Sequence, residues 1–222
     1  CWCGLFLMSL CFGTWAVPTR GDEPVTLTNR HIVASFDAHG LTSITSTASG
    51  QLLRLQDDSA TLTIDGEKLA IPGLPLTQTQ RQGQEVIYTY RAGSRTVRVR
   101  YELQTDWHFL SKRITVVLPE GESCRVESLD VLSAELKPTI AQEYRAHRAT
   151  GSVFLRFPAT TKLGPGGAFL ALQNPFLDFR RKEQRVSVAY APDLPWRAEY
   201  GPFDSDRVCL GIYELTGQES PA

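Results

Sequence analysis

The chain has 222 residues and is almost neutral, with 23 lysines and arginines against 24 aspartates and glutamates. This balance gives no strong field toward nucleic acid or an anionic membrane surface, so we expect neither as a partner. Hydrophobic residues make up 42% of the chain, which is enough for a folded core and excludes a disordered tail. Composition therefore predicts a globular protein and indicates no particular chemistry.

The amino terminus has the pattern of a secretory signal. No charged residue precedes Arg20, and a mostly apolar run over residues 5–15 is followed by Ala16-Val17-Pro18. The run is shorter than the ~20 apolar residues of a spanning helix. We expect residues 1–20 to be a signal peptide without its true start, and the mature protein to be periplasmic or extracellular and free of the membrane. A lipid-attachment site at Cys11 and an uncleaved anchor are the alternatives.

Signal cleavage would leave two cysteines, Cys124 and Cys209. In an oxidising compartment they either pair or stay as two buried free thiols, and their separation in sequence does not decide between the two. No cysteine or histidine spacing is typical of zinc, so we expect neither a metal nor a cofactor. The four histidines are scattered: His31, His39, His108 and His147.

From residue 31 onward, apolar and polar residues alternate with a period of two, which is typical of strands with one buried face. Some of these runs are joined by residues that favour tight turns. Asp65-Gly66 is the clearest case, because Asp-Gly between β-prone runs is a strong hairpin signal. The sequence predicts three hairpins: 31–36 with 41–45, 61–64 with 68–70, and 76–81 with 85–90.

Further runs have the same character: 95–103, 109–118, 125–132, 153–157, 168–172, 185–190 and 207–213. About twelve short, regularly spaced strands predict one all-β sandwich or barrel, here over residues 21–215. The segment 138–148 is the best helix candidate, although its Pro, Thr and Tyr make it a weak one. Residues 216–222 are polar, and we expect them to begin a linker to a further domain.

Two segments near the start, Val25–Asn29 and Ile32–Ile44, resemble the first strands of the β-sandwich domains that precede the barrel in α-galactosidase-like glycoside hydrolases. Later segments are similar to that family in the same order: Val99–Leu103, Phe109–Ile114, Gln173–Phe176, Pro202–Asp206 and Val208–Gly211. A similar opening occurs in mannosidase sandwich domains and in galactose mutarotase-like folds.

This resemblance implies a large two-sheet antiparallel β-sandwich, the galactose mutarotase-like supersandwich, followed by a C-terminal catalytic (β/α)8 barrel beyond this chain. The catalytic carboxylates would belong to that barrel. The chain itself would carry no catalytic residue and would pack against the barrel and shape its sugar site. The alternatives are a free-standing mutarotase-like or carbohydrate-binding protein and a purely structural interaction module.

Glycoside cleavage needs two carboxyl groups roughly 5–9 Å apart, and the sequence contains three local pairs of carboxylates. They are Asp57/Asp58, Glu120/Glu122 and Asp204/Asp206. Neighbouring residues of an extended strand face opposite sides, so Asp57 and Asp58 should not face one sugar. The composition around Glu120 predicts a turn. Asp204 and Asp206 are expected to cap a turn, with a shared cation or set of hydroxyls as the alternative.

Sugar mutarotation needs an acid and a base, and the combination worth naming is His108 and His147 with Glu143 or Glu199. Loop histidines on the surface are the simpler interpretation of both. The basic run Arg180–Lys182 with Arg185 is expected to be a solvated turn or a set of interdomain ion pairs, with anion recognition as the alternative.

Sugar recognition favours exposed aromatic rings beside polar groups, because the C–H face of a pyranose packs on a ring. Trp107 and Trp196 lie in predicted loops beside such groups, next to His108 and near Tyr200. We therefore name Trp107, His108, Trp196 and Tyr200 as candidate sugar-binding residues. The alternative is an aromatic plug at the open end of a sandwich or a contact with another domain.

Overall fold

The computed structural model describes residues 25–145, 151–158, 166–174 and 176–214. Within these ranges the chain forms two antiparallel sheets of nine strands each, which confirms the all-β sandwich predicted from the alternation. The predicted signal peptide at 1–20, the predicted linker at 216–222 and His147 lie outside the described residues. One 3₁₀ turn, Ala198–Tyr200, interrupts the strands, and no helix in the described ranges has the length and apolarity needed to cross a membrane.

Sheet A contains the strands β1 (Val25–Thr28), β2 (Ile32–Phe36), β3 (Leu41–Ser46), β4 (Leu52–Ile64), β5 (Glu67–Ile71), β10 (Ser123–Lys137), β14 (Asp178–Lys182), β15 (Arg185–Tyr190) and β16 (Leu194–Arg197). Their order is β1-β2-β3-β4-β10-β15-β14. In addition, β5 pairs with β4, and β16 pairs with β10. The long strands β4 and β10 form the centre of this sheet.

Sheet B contains β6 (Leu76–Gln82), β7 (Glu85–Ala92), β8 (Arg95–Glu102), β9 (Phe109–Val117), β11 (Gln142–Arg145), β12 (Ser152–Arg156), β13 (Gly166–Leu172), β17 (Phe203–Asp204) and β18 (Val208–Glu214). Their order is β11-β12-β13-β18-β9-β8-β7-β6, with β17 also pairing with β9. The inward-facing residues of both sheets form one hydrophobic core between them.

The hairpin between β4 and β5 shows why the turn residues predict this topology. Asp65 and Gly66 both have positive φ, 53° and 78°, which matches a two-residue turn whose twist suits the flanking strands. The Oδ2 atom of Asp65 accepts a hydrogen bond from Arg95 at 2.7 Å, and its Oδ1 atom accepts one from the backbone N–H of Arg125 at 2.7 Å. All three predicted hairpins are present at the predicted places.

A bulge in β4 changes which of its residues face the core. Leu53 and Leu55 are buried, and then the buried positions become Asp58, Ala60 and Leu62. The change occurs at Asp57, which has a left-handed φ of 55°. The extra residue shifts the period-two alternation by one position, and so turns the side chain of Asp58 inward.

Three local predictions were wrong. Part of the candidate helix 138–148 is the strand β11, and the basic run Arg180–Lys182 lies in the strand β14 rather than in a turn. Trp196, predicted in a loop, lies in the short strand β16. All three segments are largely exposed edge or peripheral strands, whose side chains show too little burial to produce a clear apolar alternation.

The two cysteines of the sandwich are free thiols in different sheets. Cys124 lies in β10 of sheet A and Cys209 in β18 of sheet B. Burial raises the pKa of the Cys209 thiol to about 11, and burial also raises the pKa of Cys124. Of the two alternatives left open by the sequence, the structure therefore has the unpaired one.

Candidate functional site

Trp196 is held rigidly at the margin of sheet A. It lies opposite Cys124 in the pairing of β16 with β10, and its Nε1 atom donates a hydrogen bond to the carbonyl of Gly201 at 2.9 Å. Its half-buried ring meets Tyr200 and Phe203 edge-on, with centroids 5.7 and 5.4 Å apart. The structure thus brings together two predicted sugar-binding residues, Trp196 and Tyr200.

A cavity of about 510 Å³ opens beside Trp196, between segments of both sheets. Its described lining combines rings with carboxyl and amide groups: Asn174, Phe176, Tyr190, Ala191, Pro192, Leu194, Trp196, Phe203, Asp204 and Asp206. Phe176 is the most exposed large hydrophobic residue of the described chain, with 81% of its surface accessible. An apolar wall with a few fixed polar groups is the usual composition of a small-molecule site.

The polar groups of this cavity are fixed by hydrogen bonds. Asp206 accepts a hydrogen bond from the Asn174 side chain at 2.9 Å, and its backbone N–H donates to the hydroxyl of Tyr190 at 2.7 Å. Burial raises the pKa of Tyr190 to about 12, so this residue stays a neutral phenol. The backbone N–H of Phe176 donates to the side-chain oxygen of Asn174 at 2.8 Å. These contacts join the Asn174 segment and the Asp206 segment into one wall.

Asp204 is the second carboxylate of the cavity. It accepts a hydrogen bond from the Thr115 hydroxyl at 2.5 Å and lies 3.4 Å from a guanidinium nitrogen of Arg113. Asp204 and Asp206 were predicted to cap a turn, with a shared set of hydroxyls as the alternative. The structure shows that both residues line one cavity.

A larger cleft of about 800 Å³ lies next to the same segment. Its described lining has no aromatic side chain and is rich in charge, with Glu120, Glu122 and Glu199 near Arg197. A sugar packs its C–H face on an aromatic ring. The aromatic cavity is therefore the better carbohydrate site, although its volume is smaller than that of the charged cleft.

Trp107 and His108 lie far from Trp196. They occupy the turn before β9, whereas Phe203, which touches Trp196, pairs with Val116 near the other end of that strand. The seven strand residues between these points span roughly 20 Å. The four predicted sugar-binding residues therefore form two separate pairs at opposite ends of β9.

The turn that carries Trp107 is held by Asn29, which lies in the connection between β1 and β2. The side-chain amide of Asn29 donates to the carbonyls of Gln104 and Trp107 at 2.6 and 2.8 Å. The Trp107 ring stacks on Phe109 with centroids 4.7 Å apart, and the guanidinium of Arg207 lies over it at 5.7 Å. Trp107 is thus a half-buried packing residue, and its ring contacts both Phe109 and the charged side chain of Arg207.

His108 stacks on His31 with ring centroids 3.5 Å apart. Partial desolvation and the neighbouring imidazole lower the pKa of His31. The proposed acid–base partners of His108 are elsewhere. Glu143 is in β11, which three strands separate from β9, and it pairs with Arg145 at 2.9 Å. Glu199 lies in the 3₁₀ turn beyond Trp196 and pairs with Arg197 at 3.3 Å. The structure does not bring His108 together with either glutamate.

Of the other carboxylate pairs, Glu120 and Glu122 both line the larger cleft, whereas Asp57 and Asp58 face opposite sides of β4. Asp57 faces solvent and pairs with Arg185 at 3.1 Å, while Asp58 points into the core. Glu122 accepts a hydrogen bond from the Ser94 hydroxyl at 3.1 Å. In the described part of the chain, no three histidine, cysteine, aspartate or glutamate side chains are grouped so that they could hold a metal ion.

The residues that complete the cavity, Asn174, Phe176 and Tyr190, were not named as candidates from the sequence. Two segments quoted for the family resemblance, Gln173–Phe176 and Pro202–Asp206, in fact meet at this cavity. That contact continues the antiparallel pairing of β13 with β18, in which the backbone N–H of Gln173 donates to the carbonyl of Arg207, and the order of the segments in the chain gave no indication of this pairing.

The chain matches no protein-family model and no curated protein. Among solved structures, it is similar to a protein assigned as a kojibiose phosphorylase from the human microbiome, with a TM-score of 0.57 and 10% identity. That match covers 87% of this chain but only 30% of the phosphorylase.

Two mutarotase-like proteins are similar over their whole length. A galactose mutarotase related enzyme from Lactobacillus acidophilus has a TM-score of 0.53 and 10% identity, over 88% of this chain and 99% of that one. A galactose mutarotase-like protein from Lactobacillus casei has a TM-score of 0.51 and 11% identity, over 86% and 100%. At such identities the similarity concerns the fold alone. The chain therefore has the galactose mutarotase-like β-sandwich fold, as its sequence predicted.

Proposed function

We propose that this chain is a non-catalytic β-sandwich domain of an exported α-galactosidase-like glycoside hydrolase. It binds sugar in the cavity beside Trp196, and it packs against a C-terminal catalytic barrel and shapes the sugar site of that barrel. The single observation that carries the proposal is the cavity itself, in which Phe176 and Trp196 stand beside Asn174, Asp204 and Asp206. The signal-like segment at residues 1–20 supports export.

The cavity has the size and chemistry that a sugar needs. Its volume of about 510 Å³ lies within the roughly 300–1,000 Å³ of small-molecule sites. The exposed ring of Phe176 can pack against the C–H face of a pyranose. The two carboxylates and the amide can accept and donate hydrogen bonds to its hydroxyls.

The hydrogen-bond partners of the two carboxylates support a binding role rather than a catalytic one. Asp204 and Asp206 accept from a hydroxyl, a guanidinium and an amide, all of which are donors. This arrangement holds both groups as acceptors, whereas hydrolysis of a glycoside needs one carboxyl that donates a proton. Placing the hydrolytic carboxylates in another domain is consistent with this geometry.

The overlap with whole mutarotase-like structures favours a second candidate, a free-standing mutarotase-like or carbohydrate-binding protein. The two candidates differ in a simple assay. A mutarotase would accelerate the change in optical rotation of freshly dissolved α-galactose, whereas a binding domain would bind galactosides and leave that rate unchanged.

The test is a titration of the chain with galactose, melibiose and raffinose, followed by tryptophan fluorescence and calorimetry. We expect binding without hydrolysis of p-nitrophenyl α-galactoside. Phe176→Ala should weaken binding about tenfold, the loss of one aromatic contact, because it removes an exposed ring without disturbing the core. Tyr144→Ala removes another exposed ring, from β11 in sheet B, and serves as the control. Hydrolysis or mutarotation by this chain, or binding that is unchanged in Phe176→Ala, would contradict the proposal.

A further inference from the structure

We propose that the strands β8 and β9 carry a binding site for a singly charged oxyanion group, a carboxylate or a sulfate ester, on the outward face of sheet B. The feature that carries this inference is a group of three arginines, called here the arginine cluster: Arg98, Arg100 and Arg113. The inference goes beyond the proposed function and does not depend on it, because no residue of the cluster lines the Trp196 cavity.

Strand register places the arginine cluster on one side of the sheet. Arg100 of β8 is directly opposite Arg113 of β9, and Arg98 is two residues from Arg100 along β8. The chain neighbours Val99 and Ile114 are buried in the core. Because alternate residues of a strand face opposite sides, all three guanidinium groups belong to the outward face. Directly opposite residues have Cβ atoms roughly 5 Å apart, and residues two apart on a strand are separated by roughly 7 Å.

The chain compensates the charge of the cluster only in part. Two like charges directly opposite each other destabilise a sheet, so Arg100 and Arg113 need negative partners. Glu85 lies 3.7 Å from the Nε atom of Arg100, which is too far for a hydrogen bond, and Asp204 lies 3.4 Å from a terminal nitrogen of Arg113. Arg98 is exposed and forms no ion pair within the described part of the chain. Three guanidinium groups therefore face two carboxylates, and one positive charge is left over.

Two unused hydrogen-bond donors are a second, independent observation. The Nε atoms of Arg100 and Arg113 are buried and have no hydrogen-bond partner among the described residues. A buried donor without an acceptor costs free energy. The two side chains remain 34% and 23% exposed, so their guanidinium groups can rotate to meet a ligand at the surface. An oxyanion with two free oxygens would then accept from Nε and from a terminal nitrogen of the same arginine.

The other arginines on this face have partners of their own. Arg207 pairs with Glu102 at 3.2 Å. Arg91, at the margin of the face, is exposed, and its Nε atom donates to the carbonyl of Gly93 at 3.2 Å. The uncompensated charge and the unused donors therefore coincide at the arginine cluster.

The number and kind of charges select the ligand. One excess positive charge matches a carboxylate or a sulfate ester, each of which carries a single negative charge. A doubly charged phosphate would bring a second negative charge close to Glu85 and Asp204, and it should bind more weakly. All three cations are arginines, whose planar guanidinium matches a pair of oxygens better than the ammonium of lysine does.

The experiment follows the arginine Nε–Hε signals of the whole nitrogen-15-labelled chain by NMR during titration with sodium galacturonate, sodium methyl sulfate or sodium phosphate. Sodium chloride keeps the ionic strength constant. Arg100→Lys and Arg113→Lys assign the two buried Nε–Hε signals. We expect the carboxylate and the sulfate ester to shift these signals saturably, with a Kd on the order of 1 mM. Galactose, the neutral counterpart of galacturonate, should leave the Arg100 signal unshifted.

Arg98→Gln tests the cluster without disturbing an ion pair. We expect it to weaken binding of the carboxylate and the sulfate ester about tenfold, the loss of one charge-assisted contact. The matched control is Arg54→Gln, which removes an exposed arginine from β4 of sheet A and should keep the Kd within about twofold. Circular dichroism melting of each variant checks that the fold is intact.

Four outcomes would overturn the inference: shifts that do not saturate with either monoanion, equal shifts of the Arg100 signal by galactose, a Kd that is unchanged in Arg98→Gln, and tighter binding of phosphate than of both monoanions. Saturable binding of only one monoanion would support the inference and identify which oxyanion the site takes. Loss of galactoside binding in Phe176→Ala concerns the Trp196 cavity, so failure of the proposed function is distinguishable from failure of this site.

Discussion

Lys112 of β9 and Asp58 of β4 form an ion pair between the two sheets, with Nζ 2.6 Å from Oδ1. Their side chains are 5% and 1% exposed. Asp58 also accepts hydrogen bonds from the Tyr101 hydroxyl at 2.5 Å and from the backbone N–H of Leu41 at 3.0 Å, and Lys112 donates to the carbonyl of Ser59 at 3.0 Å. Burial, with the nearby Asp58 carboxylate, raises the pKa of Tyr101 well above its usual value.

This ion pair gives a prediction about stability. Asp58→Ala would leave the Lys112 ammonium buried without its counter-ion, at a cost of about 3–5 kcal/mol. The double variant Asp58→Leu with Lys112→Met removes both charges and should cost less than the single variant, because no unpaired charge stays in the core. Urea denaturation measures both. A single variant within 1 kcal/mol of the unchanged chain would contradict the expected role of the pair.

Gly40 should be intolerant of a side chain because it adjoins this pair. A Cβ atom there would lie 3.0 Å from both the Asp58 carboxylate and the Tyr101 hydroxyl, and the backbone has a φ of 145°. We expect Gly40→Ala to cost about 2 kcal/mol or more through combined backbone strain and crowding. Gly50 is the control, since it also has positive φ, 71°, but no atom lies within 4 Å of its added Cβ. Equal melting temperatures for the two variants would show that crowding at Gly40 is unimportant.

Asp130 should make stability fall as pH rises. Its Oδ1 atom is buried without a hydrogen-bond partner among the described residues. Burial raises the pKa of Asp130 to about 6, and the negative charge of Asp178 adds to this rise. The positive charges of Lys112, Arg180 and Lys68 lower the pKa and offset only part of the rise. Between about pH 4 and pH 6, the folded state therefore holds a proton that the unfolded state has already released. The stabilisation from this group is fully present below about pH 4 and is lost as the pH rises to about 6.

Asp130→Asn removes this titration. We expect the variant to be more stable than the unchanged chain at pH 7 by about 1–3 kcal/mol, and to show a flatter pH profile of unfolding free energy between pH 4 and 7. Denaturation at several pH values measures the difference. A variant that loses stability at pH 7, or that keeps the same slope, would show that Asp130 is not the group responsible.

The two thiols should react slowly at neutral pH. The attacking species is the thiolate, and burial raises the pKa of Cys209 to about 11 and also raises that of Cys124. We expect dithionitrobenzoate to label both at least tenfold more slowly in the native protein than in denaturant, and non-reducing gels to show no internal disulfide. Rapid native labelling of Cys209, isolated in Cys124→Ser, would contradict this.

Much of the fold could be predicted from the sequence because the sandwich is built from strands with one buried face. The alternation over 95–103 predicts β8, and Asp65-Gly66 predicts the turn between β4 and β5. The first half of β4 was missed, because the bulge at Asp57 breaks the alternation there. Edge strands such as β11 and β14 were missed for a different reason: they bury too few residues to leave a pattern.

The candidate site was harder to predict than the fold. Trp196 and Tyr200 are close in sequence, and their contact could be expected. By contrast, Asn174 and Asp206 are 32 residues apart, and they meet because β13 pairs with β18, although these strands are not consecutive in the chain. The buried ion pair of Lys112 could not be predicted either, because its partner Asp58 faces the core only as a result of the bulge at Asp57 in β4.

That change of alternation at Asp57 has a consequence for comparing this chain with any relative. In a relative that lacks the extra residue, the strand on one side of position 57 would turn its other set of side chains to the interior. This would hold even if the rest of its amino-acid sequence were identical. An ungapped alignment through β4 would then equate exposed positions with interior ones. Deleting Asp57 from this chain would have the same effect within a single molecule: either the leucines before it or the carboxylate after it would have to turn to water.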